Sequence, residues 1–319
     1  MNLILFLHKI IQTLFRIAPM LGVVTVGIAD NSIAPAAHES ISPRLIELKT
    51  RAQNGDAEAY CLLGKAYHTG SGVLRDDGKA FENMMEAAKM GHGEAASLVG
   101  FFYARGLGVT KSETEAVEWF RKGADLGSGK SRVNYLLFLR SGKGVTKDYG
   151  SAMTELEALA NSGSVDAQFA LAQIYFLGDD LQLPDVAKAV PFLMNPAEKG
   201  YPGAQNMLGL AYRKGAGPLD ESSEQAEKWF RLAAEDNDLK AQSNLASLLG
   251  VMDVKSPRFS EALMWLLISA NQGEITAKKT LDAIRGEIPV DVMKKASVDA
   301  RVFVSKFMEK KARSSEPPK

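Results

Sequence analysis

Residues able to do chemistry are few in this chain, and their spacing does not gather them. There are four histidines (His8, His38, His68 and His92) and a single cysteine, Cys61. One cysteine excludes a disulfide framework and any cysteine-based zinc or iron–sulfur centre. Four scattered histidines leave little material for a histidine-rich metal site. No G-x-S-x-G nucleophile elbow, H-E-x-x-H pair, phosphate loop ending in Gly-Lys-Ser/Thr or dinucleotide fingerprint after a strand occurs. The run Gly127-Ser128-Gly129-Lys130-Ser131 has the composition of a phosphate loop, but it follows no strand and stands at a helix end. His68 and His92 read as surface histidines, and Cys61 as a small, partly buried side chain. The paired acids Asp76-Asp77 and Asp179-Asp180 fall in loops, where hydration or helix capping is their ordinary work. The expectation is a protein that is not an enzyme and needs no cofactor or metal.

The elements around these residues are more informative. With 46% hydrophobic and 24% charged residues and a formal net charge of zero, the chain is neither a disordered acidic protein nor a strongly basic nucleic-acid binder. Its 28 glycines are unusual for a sequence that otherwise reads as helical, and they are spaced regularly.

Ala59, Gly64, Tyr67, Gly70, Gly72, Val73, Ala80, Ala88 and Gly91 serve as a template. Thirty-six residues on, Ala95, Gly100, Tyr103, Gly106, Gly108, Val109, Ala116, Ala124 and Gly127 match at every position. A third copy keeps Gly142, Gly144, Val145, Ala152 and Gly163. A fourth and a fifth each carry one extra residue, and a sixth loses the glycine pair. All three tryptophans, Trp119, Trp229 and Trp265, fall on one repeat position.

Apolar residues spaced three and four apart over 57–69 and 77–90 predict two antiparallel helices per repeat. Small residues at 59, 64, 80 and 88 mark where helices approach closely. Gly70 and Gly72 turn the chain, and Gly91 closes the second helix in the left-handed conformation. Asn237 stands at that last position in the fifth copy, and asparagine is the common substitute there. Two helices cannot bury their own apolar faces, so the copies must stack. The fold predicted is all-α: a right-handed α/α solenoid of about six 36-residue helix–turn–helix repeats spanning 44–290. A capping helix over 291–313 follows, with Val292, Ala296, Val302, Phe303 and Phe307 as its apolar stripe, and then a disordered tail over 314–319.

The string A-x-A-x-x-x-L-G-x-x-Y-x-x-G-x-G-V-x-x-D-x-x-K-A, from Ala57 to Ala80, resembles the Sel-one-like repeat (SLR), a relative of the tetratricopeptide repeat. The resemblance covers about residues 45–285. It implies a binding scaffold rather than a catalyst, of a kind often exported in bacteria. The third copy departs from the pattern with Leu136 and Leu139, and the sixth lacks its glycine loop, so these two are expected to pack less regularly.

The first 29 residues differ from the rest. Lys9 and Arg16 precede an apolar run from Ile17 to Val26, and small residues at Gly27 and Ala29 allow a cut after Ala29. This predicts a secretory signal peptide and a periplasmic or secreted protein, with an uncleaved anchor as the alternative. Residues 30–43 read as a linker, and no other run is long enough to span a membrane.

By analogy with tetratricopeptide arrays, a stripe on each first helix lines the concave side. It carries Lys65 and His68, then Phe101 and Arg105, Leu137 and Arg140, Phe169, Gln173 and Phe176, and finally Arg213 and Lys214. Apolar residues rimmed by cations predict a groove for a protein partner with an acidic or amphipathic segment. Packing against neighbouring repeats would account equally for the same residues. Nucleic acid is not expected as a partner. The rival reading is a periplasmic binder of peptidoglycan, another glycan or a small ligand.

Overall fold

A computed structural model describes residues 43–314. Residues 1–42, with the predicted signal peptide and most of the predicted linker, and residues 315–319 of the predicted tail lie outside the described residues. Fifteen α-helices follow one another without a strand among the described residues. Helix α1 (Pro43–Gln53) leads into six pairs: α2 (Ala57–Thr69) with α3 (Asp77–Lys89), α4 (Gly93–Arg105) with α5 (Glu113–Asp125), and α6 (Gly129–Ser141) with α7 (Tyr149–Asn161). Then come α8 (Val165–Leu177) with α9 (Val186–Glu198), α10 (Pro202–Lys214) with α11 (Ser223–Glu235), and α12 (Leu239–Leu248) with α13 (Phe259–Asn271). Helix α14 (Ile275–Ile284) begins a further copy, and α15 (Val290–Ser314) ends the described chain. Helices α1 to α14 pack mainly on their sequence neighbours, which is the contact pattern of an α-solenoid, while α15 turns back onto α13.

Side-chain capping explains where most of the helices start. Asp76, Ser112, Asp148, Asp185 and Ser222 stand one repeat apart, and each side chain accepts the backbone N–H three residues on. Each such cap is worth about 1 kcal/mol. The same N-cap residues donate their own N–H to the carbonyl at the tyrosine position, as in Asp76 to Tyr67 (3.0 Å) and Ser222 to Tyr212 (2.9 Å). Asn237 has φ of 65°, the one positive value outside glycine among the described residues, so the predicted left-handed ending is observed.

Within a pair, the small position of the first helix decides the spacing. A Cβ on Gly100 would lie 2.7 Å from the Phe120 ring, and one on Gly64 would lie 2.5 Å from Met84. In the third pair Leu136 fills that position and is buried, and α6 and α7 approach less closely than the pairs before and after them. The sixth pair is also irregular, because α12 stops after 10 residues. Both departures follow the substitutions at these points in the sequence.

Helix α15 covers the end of the array. Ala296 and Ala300 are buried, and Phe303 meets Trp265 edge-on at 4.8 Å between ring centroids. Val302 was expected in this stripe but is 47% exposed. The inward spacing runs 296, 300, 303, 307, the first two buried and the two phenylalanines half-buried, and Val302 falls one residue off it.

Candidate functional site

First helices of successive repeats touch one another (α4 with α6, α6 with α8, α8 with α10, α10 with α12), whereas no two second helices come into comparable contact. The array therefore curves with its first helices on the inner side, and the predicted stripe lies there.

Much of that stripe is consumed in joining one repeat to the next. Lys65 pairs with Glu94 of the following repeat at 2.9 Å. Glu58 accepts from His92 Nε2 at 2.7 Å, while Nδ1 of the same ring accepts the Ala95 N–H and caps α4. Tyr201 donates to Asp166 at 2.9 Å, and Asn244 donates to Asn206 at 2.8 Å. The residues one turn along, Cys61, Ser97, Val133 and Asn206, are buried in the joints. Burial pushes the Cys61 thiol up to about 11, so it stays protonated and unreactive at neutral pH.

Several predicted contact residues need correction. Arg140 is 4% exposed, not a free cation in a groove. Its guanidinium holds Asp179 in the next repeat through contacts of 2.5 and 3.1 Å and lies over the Tyr149 ring. That guanidinium keeps the Asp179 carboxyl below the usual carboxylate range. Asp179 is thus an ion-pair partner and not a helix cap. His68 donates from Nδ1 to Asp77 at 2.7 Å and packs edge-on against Phe102, so it is not a plain surface histidine. His92 is a cap, as above. Phe169 lies against Gly203 and Tyr201, and Leu137 and Phe176 are half-buried against neighbouring helices. These three are packing residues, because the next repeat brings a complementary surface to each.

What stays exposed is a shorter set: Phe101, Arg105, Gln173, Arg213 and Lys214. The Arg105 guanidinium carbon lies 5.8 Å from the Phe101 ring centroid, so the cation and the exposed ring form one unit. Leu177, which the stripe omitted, is also exposed at the end of α8. Trp229 and Trp265 are buried and offer no platform for a sugar ring, while Trp119 is half-buried under Lys122. Among the described residues no group of three or more His, Cys, Asp or Glu side chains could hold a metal ion. None of the described helices is long and apolar enough to cross a membrane.

The family model of the Sel1 repeat matches residues 57–92, 93–128, 165–190, 202–238 and 239–274, together more than half of the chain. The chain belongs to the Sel1 repeat family. A solved Sel1 repeat protein from Oxalobacter formigenes is 28% identical, with a TM-score of 0.54, covering 72% of this chain and 99% of that one. A sel1 repeat protein from Klebsiella pneumoniae is 19% identical (TM-score 0.45, 64% and 98% covered). An immunity protein from Pseudomonas aeruginosa is 17% identical (TM-score 0.48, 79% and 83% covered). No curated protein matches the sequence. Sel1 repeat proteins are generally non-catalytic scaffolds for protein interaction. The unmatched third copy, 129–164, is the one in which Leu136 replaces glycine.

Proposed function

We propose that this Sel1 repeat protein is an exported, non-catalytic adaptor that holds an acidic or amphipathic protein segment along its first-helix face. The observation that carries this reading is the exposed Phe101–Arg105 unit, with Gln173, Arg213 and Lys214 further along the same face. An apolar ring beside a guanidinium suits a segment that alternates acidic and apolar side chains. Other polar residues of that face, Lys65 with Glu94 and Glu58 with His92, are occupied in joining one repeat to the next. Residues 1–29 act as the export signal, with cleavage after Ala29 placing the mature chain in the periplasm or outside the cell.

Affinity capture from an envelope extract tests the adaptor reading, comparing the native chain with an Arg105→Glu/Arg213→Glu variant of unchanged helicity. A protein retained by the first and lost by the second is the expected result. Equal retention by both would remove the electrostatic groove. Sequencing the N-terminus of the protein recovered from cells tests export, with Asp30 expected as the first residue and retained Met1 as the result that overturns it.

A further inference from the structure

Three joints between repeats are sealed by the second glycine of the turn. A Cβ on Gly108 would stand 2.2 Å from the Asp77 carbonyl oxygen, and one on Gly144 2.3 Å from that of Glu113. A Cβ on Gly217 would stand 2.8 Å from Ala187. These three turns therefore press on the first turn of the preceding repeat's second helix. The fourth repeat has Asp180 at the repeat position of this glycine, and the corresponding residue of the preceding second helix is Tyr149 at the start of α7. A side chain cannot enter so close an approach. The loop instead folds on itself, with Asp179 N–H donating to Gln182 O at 2.8 Å and Gly178 at φ 64°, ψ 178°. That ψ with a positive φ is reached essentially by glycine alone.

The unsealed joint is an open cleft of about 760 Å³ between α7 and this loop. Its chemistry differs from that of the first-helix face. Tyr175 donates to Glu157 Oε1 at 2.9 Å, and burial with that carboxylate pushes the phenol up to about 12, so it remains a donor at neutral pH. No cation among the described residues pairs with Glu157, whereas the nearby Lys188 is held by Asp185 at 3.5 Å. Tyr149 donates to Gln182 and has the Arg140 guanidinium over its ring at 5.3 Å. At the rim Leu183 is 84% exposed, next to an exposed Pro184.

We infer that this cleft binds a peptide segment in which a basic side chain adjoins an apolar one. The cation meets the Glu157 carboxylate beside the Tyr149 ring, and the apolar side chain covers Leu183 and Pro184. A segment of this charge is opposite to the one proposed for the first-helix face, so the two surfaces take different segments and stand independently.

Methyl NMR of the full chain, labelled at methionine and leucine, tests the inference through Met153 and Leu183. The probes are N-acetyl-Arg-Leu-amide, N-acetyl-Glu-Leu-amide and chitotriose. The Arg-Leu probe is expected to shift both methyls with millimolar affinity, and the Glu-Leu probe to bind about tenfold more weakly. Glu157→Gln, a substitution at an exposed position, and Leu183→Ser, which leaves the Met153 methyl as reporter, should each weaken the Arg-Leu probe several-fold. Equal binding of both dipeptides, shifts with chitotriose alone, or no shift with any probe would each overturn the inference.

Discussion

Arg140 leaves the third repeat to grip Asp179 in the loop of the fourth, two nitrogens on two oxygens at 2.5 and 3.1 Å, with its own side chain almost wholly buried. Its Nε has no partner, so the guanidinium depends on that one carboxylate and on the Tyr149 ring. Removing one member of a buried pair strands the other charge, whereas replacing the charge by an apolar chain of similar length does not.

Asp179→Ala should therefore destabilise more than Arg140→Met. Because Asp179 is 39% exposed and water can reach the loop, its cost is about 1–3 kcal/mol rather than the full buried-pair value. Urea midpoints of the two variants give the order directly, and the reverse order would contradict this account.

Gly100→Ala drives a methyl into the Phe120 ring and should cost about 1–3 kcal/mol. Gly129→Ala, at the open first turn of α6, meets nothing within 4 Å and should be neutral or stabilise by about 0.4–1 kcal/mol. Thermal melts of both variants test whether close helix approach, and not glycine itself, is what position 100 requires.

At Asn237 the backbone is left-handed, and the amide bonds to Gln272 and Gln242. Asn237→Gly keeps the backbone freedom and loses the amide, whereas Asn237→Ala loses both. Alanine should be the worse variant by about 1 kcal/mol in chemical denaturation.

Glu227 accepts two hydrogen bonds from Arg258 and one from Arg231, joining the fifth repeat to the sixth. Arg258 in first place holds its carboxyl down from 4.5 to about 2. A folded-state value below the unfolded one stabilises the protein above 4.5, and that contribution is lost as the pH falls toward 2. The stability gap between the native chain and Glu227→Gln should be full at neutral pH and close across this window. A gap that stays constant with pH would show that the ion pair is not its source.

The period, the helix pairs and the left-handed Asn237 were legible in the sequence, because each depends on residues within one or two turns of chain. The caps were legible only in part: Asp76 caps α3 as its loop position allows, but His92 reads as a surface histidine and caps α4. Gly64 and Gly100 could be read as sites of close approach for the same reason: their partners lie in the adjoining helix, about twenty residues away. The candidate site was legible only in part. Phe101, Arg105, Gln173, Arg213 and Lys214 are exposed as the stripe predicts, but Phe169, Leu137, Phe176 and Arg140 are not.

Arg140 and Arg213 show where sequence reading stops. They occupy the same repeat position, and nothing in their own helices separates them. Thirty-nine residues beyond Arg140 stands Asp179 in a loop that folds back over it; thirty-nine beyond Arg213 stands the exposed Met252. One guanidinium is buried and neutralised while the other faces solvent. Sequence fixes the helices through local hydrogen bonding and side-chain size. Tertiary structure decides which side chains remain for a partner, because burial and charge pairing at a joint depend on what the neighbouring repeat brings to it.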